Sequence, residues 1–344
     1  MSLSKARVVV AGGGALGSSI AFSLARAGAQ VVLAEPREAS LSASGVAAGM
    51  LAPAMECALD ARPGLSFEAL RQARDLWRPW AAQLGEIGLS EAGGAWIDLP
   101  DAAPRAEAVA ADLQAIGAAL TSPPAALSAW PGAVFTPDDW RLAPLAALAA
   151  LERALTDLGG RRIAAAVTGF DEGRARLSDG SDIAADFLVV AAGAARGLAP
   201  ELERLEPIKG QILKYPTLRG GADRPAIRSA QGYGVGGDDG LSVGATMEFG
   251  LSDTAIDAGV VERLSVLAGL IEPRARGLAP VAQAAVRGAF PDRPPLFARS
   301  ARPGVLVAAG ARRNGWLLAP LAAEIITDLM AERDPGERAR PFGP

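Results

Sequence analysis

Two glycine-bearing loops, one near each end of the chain, carry the residue types and spacing best suited to chemistry. At the amino end Arg7-Val8-Val9-Val10-Ala11 runs into Gly12-Gly13-Gly14-Ala15-Leu16-Gly17. In such a loop Gly12 permits the tight turn, Gly14 lets backbone approach a pyrophosphate, and Gly17 lets the following helix pack closely on the strand. The helix N-terminus supplies N–H donors and positive dipole to the anion. Glu35 ends the next strand at the spacing of an acidic residue that accepts hydrogen bonds from a ribose, which disfavours a 2′-phosphate. Arg37 beside it leaves NADP open.

Far along the chain a second strand-like run, Gly304-Val305-Leu306-Val307-Ala308-Ala309-Gly310, leads into Ala311-Arg312-Arg313-Asn314-Gly315-Trp316-Leu317-Leu318. A helix starting there aims its positive end at a group that gains negative charge on reduction. The chain has no histidine and a single cysteine, Cys57. Ser-His-Asp and Cys-His catalysis, histidine metal sites and an imidazole base are therefore excluded. Nicotinamide enzymes of this class commonly lean on a His or Lys acid/base, whereas a flavin ring needs a second contact region, which the late loop offers. The two loops together favour FAD over NAD.

The elements that must position these loops read as α/β. Half of the 344 residues are hydrophobic, enough for a sizeable core in one large or two interlocked domains. The net charge of −4 gives no support to nucleic-acid or anionic-membrane binding. No secretory or membrane-spanning segment is read, and the lone cysteine fits a reducing cytoplasm. Residues 7–35 predict a strand-helix-strand unit. Helices are predicted over 67–84, kinked or broken by Pro79, over 142–158 and over 260–270. Residues 95–99 and 187–193 read as buried strands, and 162–170 with 174–177 as a hairpin. From residue 209 the pattern changes to strands joined by turns, with Asp238-Asp239-Gly240 as hairpin chemistry. A domain crossing is placed near Asp138-Asp139-Trp140.

At this point the residues resemble a known family, the D-amino acid oxidase superfamily of FAD-dependent amine oxidases, in its glycine oxidase branch associated with thiamine biosynthesis. The matching pieces are the Gly12–Gly17 loop, Ala47-Ala48-Gly49-Met50-Leu51-Ala52-Pro53, Pro137-Asp138-Asp139-Trp140, Val189-Val190-Ala191-Ala192-Gly193, Lys209-Gly210-Gln211, Gly244-Ala245-Thr246-Met247 and Arg313-Asn314-Gly315-Trp316-Leu317-Leu318-Ala319-Pro320. They occur in the family's order across nearly the whole chain. The resemblance implies a Rossmann-like FAD-binding domain (1–88, 141–205 and 287–344) with an α+β substrate domain on a mainly antiparallel sheet (89–140 and 206–286). It implies FAD contacts at Gly12, Gly14, Ala15, Leu16, Gly17, Glu35, Pro36, Ser44, Ala48, Gly49, Met50 and Val167. Gly310, Ala311, Arg312, Arg313, Asn314, Gly315, Trp316 and Leu317 would surround the flavin's pyrimidine edge. Arg287 and Arg313 would hold a substrate carboxylate, with Tyr233, Met247 and Met50 lining the pocket.

Three positions depart from the family. Where it has Gly-Leu-Arg-Pro-Gly, the stretch here is Val286-Arg287-Gly288-Ala289-Phe290-Pro291-Asp292 with Arg287 on the family arginine, Arg312 replaces an aromatic residue, and Gln231 stands at a common pocket histidine. The implied chemistry is oxidation of the Cα–N bond of glycine, sarcosine or a small D-amino acid. Hydride passes to the flavin, water hydrolyses the imino acid, and O₂ becomes hydrogen peroxide. Orientation serves this reaction without a side-chain base. Two arginines near the substrate would also favour loss of its ammonium proton. A dehydrogenase passing electrons to a carrier, an oxidase of a larger D-amino or cyclic imino acid, and a flavin-bound assembly partner or sensor remain alternatives. The implied partners are the amino acid and O₂, with a homo-oligomer open.

Overall fold

The computed structural model describes residues 3–60, 64–100, 102–221 and 223–344. Its first sheet has six strands in the order Leu296–Arg299, Val305–Ala309, Phe187–Val190, Arg7–Ala11, Gln30–Ala34 and Arg161–Ile163. All pairings are parallel except that of the edge strand Leu296–Arg299. Strand Arg7–Ala11 is apolar beyond Arg7 because both its faces are covered. Val8 and Val10 enter a core shared with helices Ala15–Arg26, Pro144–Asp157 and Gly315–Met330. Val9 and Ala11, alternating to the other face, enter a core shared with a three-stranded antiparallel sheet over residues 167–184.

The second sheet runs Glu248–Phe249, Glu206–Tyr215, Gly240–Gly244, Gly232–Gly237, Ala226–Ser229, Gly94–Trp96 and Val134–Thr136, with Val281–Ala289 also paired along Glu206–Tyr215. Only Ala226–Ser229 against Gly94–Trp96 is parallel, so the sheet is mainly antiparallel. Asp238 and Asp239 form the two-residue connection read in the sequence, joining Gly237 to Gly240. Helix Ala258–Ile271 packs its apolar stripe against this sheet. Strand Val281–Ala289 continues through the expected 286/287 domain boundary.

Two sequence expectations are refined. The predicted helix over 67–84 is two helices, Phe67–Asp75 and Trp77–Leu84, broken at Leu76. Pro79 has no N–H to offer the Asp75 carbonyl, so the helical ladder fails there. The predicted strand over 162–170 is also two elements. Arg161–Ile163 joins the parallel sheet, and Val167–Asp171 makes the hairpin with Arg174–Leu177. The run is apolar enough to serve either sheet, so its pattern alone does not mark the crossing. Among the described residues no helix is long and apolar enough to cross a membrane.

Candidate active site

The carboxyl ends of the parallel strands open onto one cleft, built mostly from backbone. Gly12, Gly14, Ala15 and Leu16 leave the first strand, Glu35 the second, Ala191 to Ala194 the third, and Gly310 to Arg312 the fourth. Together they line a cavity of about 540 Å³. Such crevices beyond the strand ends are where doubly wound sheets bind ligands. At Gly12 and Gly17 the backbone leaves no room for a side chain. Gly12 has φ +106°, and a Cβ there would lie 2.4 Å from the Ala191 carbonyl oxygen. A Cβ on Gly17 would lie 1.8 Å from the Gly12 carbonyl oxygen. Gly14 begins helix Ala15–Arg26 without a side-chain cap, although the Ala15 N–H donates to Ser44 Oγ at 2.8 Å.

Glu35 is buried and already braces the loop. Its carboxylate accepts from the Gly13 and Arg37 N–H groups, each at 2.9 Å. Each oxygen keeps a further lone pair for a hydroxyl donor.

A second cavity, of about 420 Å³, shares Ser44, Ala285, Arg287, Arg312 and Gly315 with the first. Helix Gly315–Met330 starts at this junction with no side-chain cap on its N-terminus. Trp316 is locked in place, donating from Nε1 to the Ser44 carbonyl (3.0 Å), while Trp77 Nε1 donates to the Trp316 carbonyl (2.9 Å). Arg312 adopts φ +49°, and its N–H donates to the Gly288 carbonyl, tying this loop to the strand that carries Arg287.

The second cavity is lined by Met50, Tyr233, Met247, Arg287 and Arg313, so all five expected pocket residues converge. They are not equivalent. Arg287 Nη2 donates to the Thr246 carbonyl at 2.8 Å, and among the described residues the guanidinium has no carboxylate partner. The Lys209-Gly210-Gln211 motif prepares this geometry. A Cβ on Gly210 would lie 2.1 Å from Arg287 Nη2. The Gln211 N–H donates to Thr246 Oγ1 (2.9 Å) and its amide to Glu248 (2.8 Å), which fixes the segment presenting the Thr246 carbonyl.

Arg313, in contrast, is already engaged. Its Nε and Nη2 both meet Glu56 Oε2 at 2.8 Å, with Asp60 3.5 Å away. Glu56 also accepts from Arg228 Nη2 at 2.8 Å. The two guanidiniums hold the Glu56 carboxyl below its ordinary range against the opposing effect of burial. Asp139 supports the helix carrying Glu56, Pro53–Leu59, by accepting from the Ala54 (2.9 Å) and Met55 (3.3 Å) N–H groups. Burial pushes the Asp139 carboxyl up to about 7, opposed by Arg228 and those two N–H groups. Burial also raises the Tyr233 hydroxyl, so it is a neutral donor at physiological pH.

Sequence reasoning missed Glu56, Arg228, Asp60 and Asp139 as parts of this site. The available signal was a lone glutamate in the apolar run Pro53-Ala54-Met55-Glu56-Cys57-Ala58-Leu59. Of the expected cofactor residues, Gly12, Gly14, Ala15, Leu16, Glu35, Ser44, Gly310, Ala311, Arg312 and Gly315 line the first cavity. Ala48, Gly49, Met50, Arg313, Asn314 and Trp316 line the second. Gly17 and Leu317 are buried in the helix layer, Val167 lies in the core behind the parallel sheet, and Pro36 is exposed. None of these four lines either cavity.

The chain is 28% identical to a glycine oxidase of Pseudomonas putida, covering 98% of both chains. It is 32% identical to a Rhizobium etli protein named for thiamine biosynthesis, the oxidoreductase ThiO, over 96% of this chain and 99% of that one. The crystal structure of glycine oxidase from Geobacillus kaustophilus superposes with a TM-score of 0.83 at 26% identity, covering 99% of this chain and 98% of the other. Residues 7–329 match the family described as FAD dependent oxidoreductase (DAO), and the chain belongs to that family.

Proposed function

We propose that this chain binds FAD along the two joined cavities and oxidises the Cα–N bond of a small amino acid such as glycine or sarcosine. The single observation that carries the reading is Arg287, a guanidinium without a carboxylate partner among the described residues, at the meeting point of a dinucleotide-sized cleft and a smaller pocket. The donor set fits FAD. Two helix N-termini, neither capped by its own N-cap side chain, open into the cleft, the glycine loop leaves room for a pyrophosphate, and Glu35 stands where a ribose would lie. When bound, FAD supplies the acceptor for the hydride from Cα and the route by which O₂ is reduced. The amino acid, O₂ and water then yield an oxo acid, ammonia (or an amine) and hydrogen peroxide.

The chain's own residues orient the substrate and favour release of its ammonium proton to water. Arg287 offers a planar fork to the carboxylate. Met50, Met247 and Tyr233 bound the space left for Cα and its substituent. The neighbouring guanidiniums disfavour a second positive charge, so the bound amine loses its proton and its lone pair becomes available. A place in thiamine biosynthesis and a cytoplasmic location belong to the same proposal, drawn from the Rhizobium etli relative and the cysteine usage. The test is a visible spectrum of the purified protein and peroxide assays with glycine and sarcosine. Protein that is colourless and takes up no added FAD refutes the reading.

A further inference from the structure

One cation close to the cavities takes no part in the network around Glu56. Lys214 lies on strand Glu206–Tyr215, and alternation puts it on the same face as Gly210 and Ile212. Those two residues line the substrate pocket, whereas Lys214 lines neither cavity. Its ammonium donates to the Ser242 hydroxyl at 2.9 Å and to the Ala47 carbonyl at 3.2 Å. Unlike Lys209, which pairs with Asp253, it has no carboxylate in contact among the described residues. Burial pulls the ammonium down to about 8, with Asp239 opposing from a distance, so it stays largely charged at neutral pH. A neutral side chain would fill this place without the desolvation that an ammonium costs.

The contact with Ala47 fixes the direction of a peptide plane. The bond from Ala47 to Ala48 is trans, and in a trans peptide the C=O and N–H point opposite ways. With the Ala47 carbonyl held by Lys214, the Ala48 N–H is turned away from it. Ala47 and Ala48 line the substrate pocket while Lys214 and Ser242 do not, so that turn is toward the cavity. Ser44, a few residues earlier, lines both cavities, which places this segment at their junction. Ala48 is buried, and its N–H has no acceptor among the described residues. Buried backbone donors of that kind are rare in folded proteins, and one aimed into a cavity is suited to an acceptor on a ligand.

We infer that Lys214 is a positioning residue for the cofactor, holding the Ala47–Ala48 peptide so that its N–H is presented to an acceptor on the flavin ring. This rests on the FAD reading and adds to it a residue that lies outside both cavities. An ammonium on the carbonyl also polarises the peptide, which strengthens its N–H as a donor. The positive charge relayed in this way favours the ring once reduction has made it negative.

The experiment needs no turnover. Sulfite adds reversibly to oxidised flavin, bleaches its colour, and binds more tightly the more readily the ring accepts electrons. Lys214→Met keeps the side chain's length and removes its charge and its donor. In the FAD-loaded protein it is expected to weaken sulfite binding about tenfold or more, equivalent to about 30 mV for a two-electron couple. The dissociation constant for FAD should rise about fivefold or more. Ser242→Ala, which removes the ammonium's other partner, should change either constant less than about twofold. A lysine that only supports the fold would lower the thermal midpoint in the methionine variant and leave both constants within about twofold, and that result overturns the inference. Equal losses in Ser242→Ala and Lys214→Met also overturn it, because the hydroxyl would then be the point of action. Lys214→Gln, which loses the charge and keeps an amide donor, is a milder second variant, and sulfite binding in it as tight as in the wild type counts against the inference equally. Wild-type protein that takes up no FAD ends the flavin reading and this inference together. Yellow wild-type protein whose sulfite affinity equals that of Lys214→Met ends the inference alone.

Discussion

The cofactor cleft and the substrate pocket meet at Arg287 but are made of different material. The cleft is lined largely by glycines, alanines and helix ends, and among its polar side chains Glu35 and Ser44 are occupied in bracing backbone. The pocket is lined by long charged side chains drawn from the helix after residue 52, the residue before helix Ala106–Ala115, two strands of the antiparallel sheet and the late loop. Backbone geometry of the first kind accepts one shape of ligand and depends on the absence of Cβ atoms. Side-chain geometry of the second kind can be retuned by single substitutions. The contrast implies a fixed cofactor and an adjustable substrate.

The sharpest way to break that contrast is to put a side chain into the cleft. Gly12→Leu sets a Cβ 2.4 Å from the Ala191 carbonyl oxygen, a backbone atom that cannot swing away, so the protein should purify without flavin colour. Visible absorbance checks this, with circular dichroism confirming a folded chain, and a yellow variant would show that the cleft is adaptable after all. Next comes Arg287→Met. Removing a charged anchor typically costs about 2–5 kcal/mol, or roughly 30-fold to several thousand-fold in kcat/KM. A loss under threefold would remove Arg287 from the carboxylate site.

Arg313→Met and Glu56→Gln test whether Arg313 acts as part of a network. Breaking a buried pair from one side commonly destabilises by about 3–5 kcal/mol. Each variant should therefore lower the denaturation midpoint, and the double variant should lose less than the sum. Simple additivity would mean that the 2.8 Å contacts carry no coupling.

A smaller effect is expected from pH. The folded-state pKa of Asp139 is raised to about 7, so its contribution to stability is fully present below its unfolded value near 4 and is lost as pH rises through about 7. Asp139→Asn should flatten the stability curve across that window, and an unchanged slope would assign the drift to another group. Smallest of all is Arg37→Ala. The Arg37–Glu35 pair spans 3.6 Å with the arginine side chain 62% exposed, and its loss should cost no more than about 0.5 kcal/mol in a denaturant titration.

The same contrast explains what was legible in the sequence. A glycine loop between a buried strand and a helix is a local pattern, so the parallel sheet's first unit and its late counterpart could be read at fixed spacing. The hairpin at Asp238-Asp239 was legible for the same reason. The roles within the pocket were not. Nothing local distinguishes Arg287, left facing the cavity, from Arg313, held by Glu56 across 257 positions of chain. Arg228 lies 172 positions from its partner. Ion pairing over such separations is a product of topology, and periodicity carries no record of it. Val167, carried by resemblance for its backbone, keeps its side chain in the core behind the sheet.

The late strand-loop-helix has a consequence for how the protein is made. Strand Val305–Ala309 must pair beside Phe187–Val190, and residues 310–316 then supply wall to both cavities. A nascent chain still lacking those residues has its first glycine loop without the part of the wall that residues 308–315 supply. On the proposed reading FAD capture waits until translation has passed this segment, and a ribosome stalled before it would hold a polypeptide with an incomplete cleft.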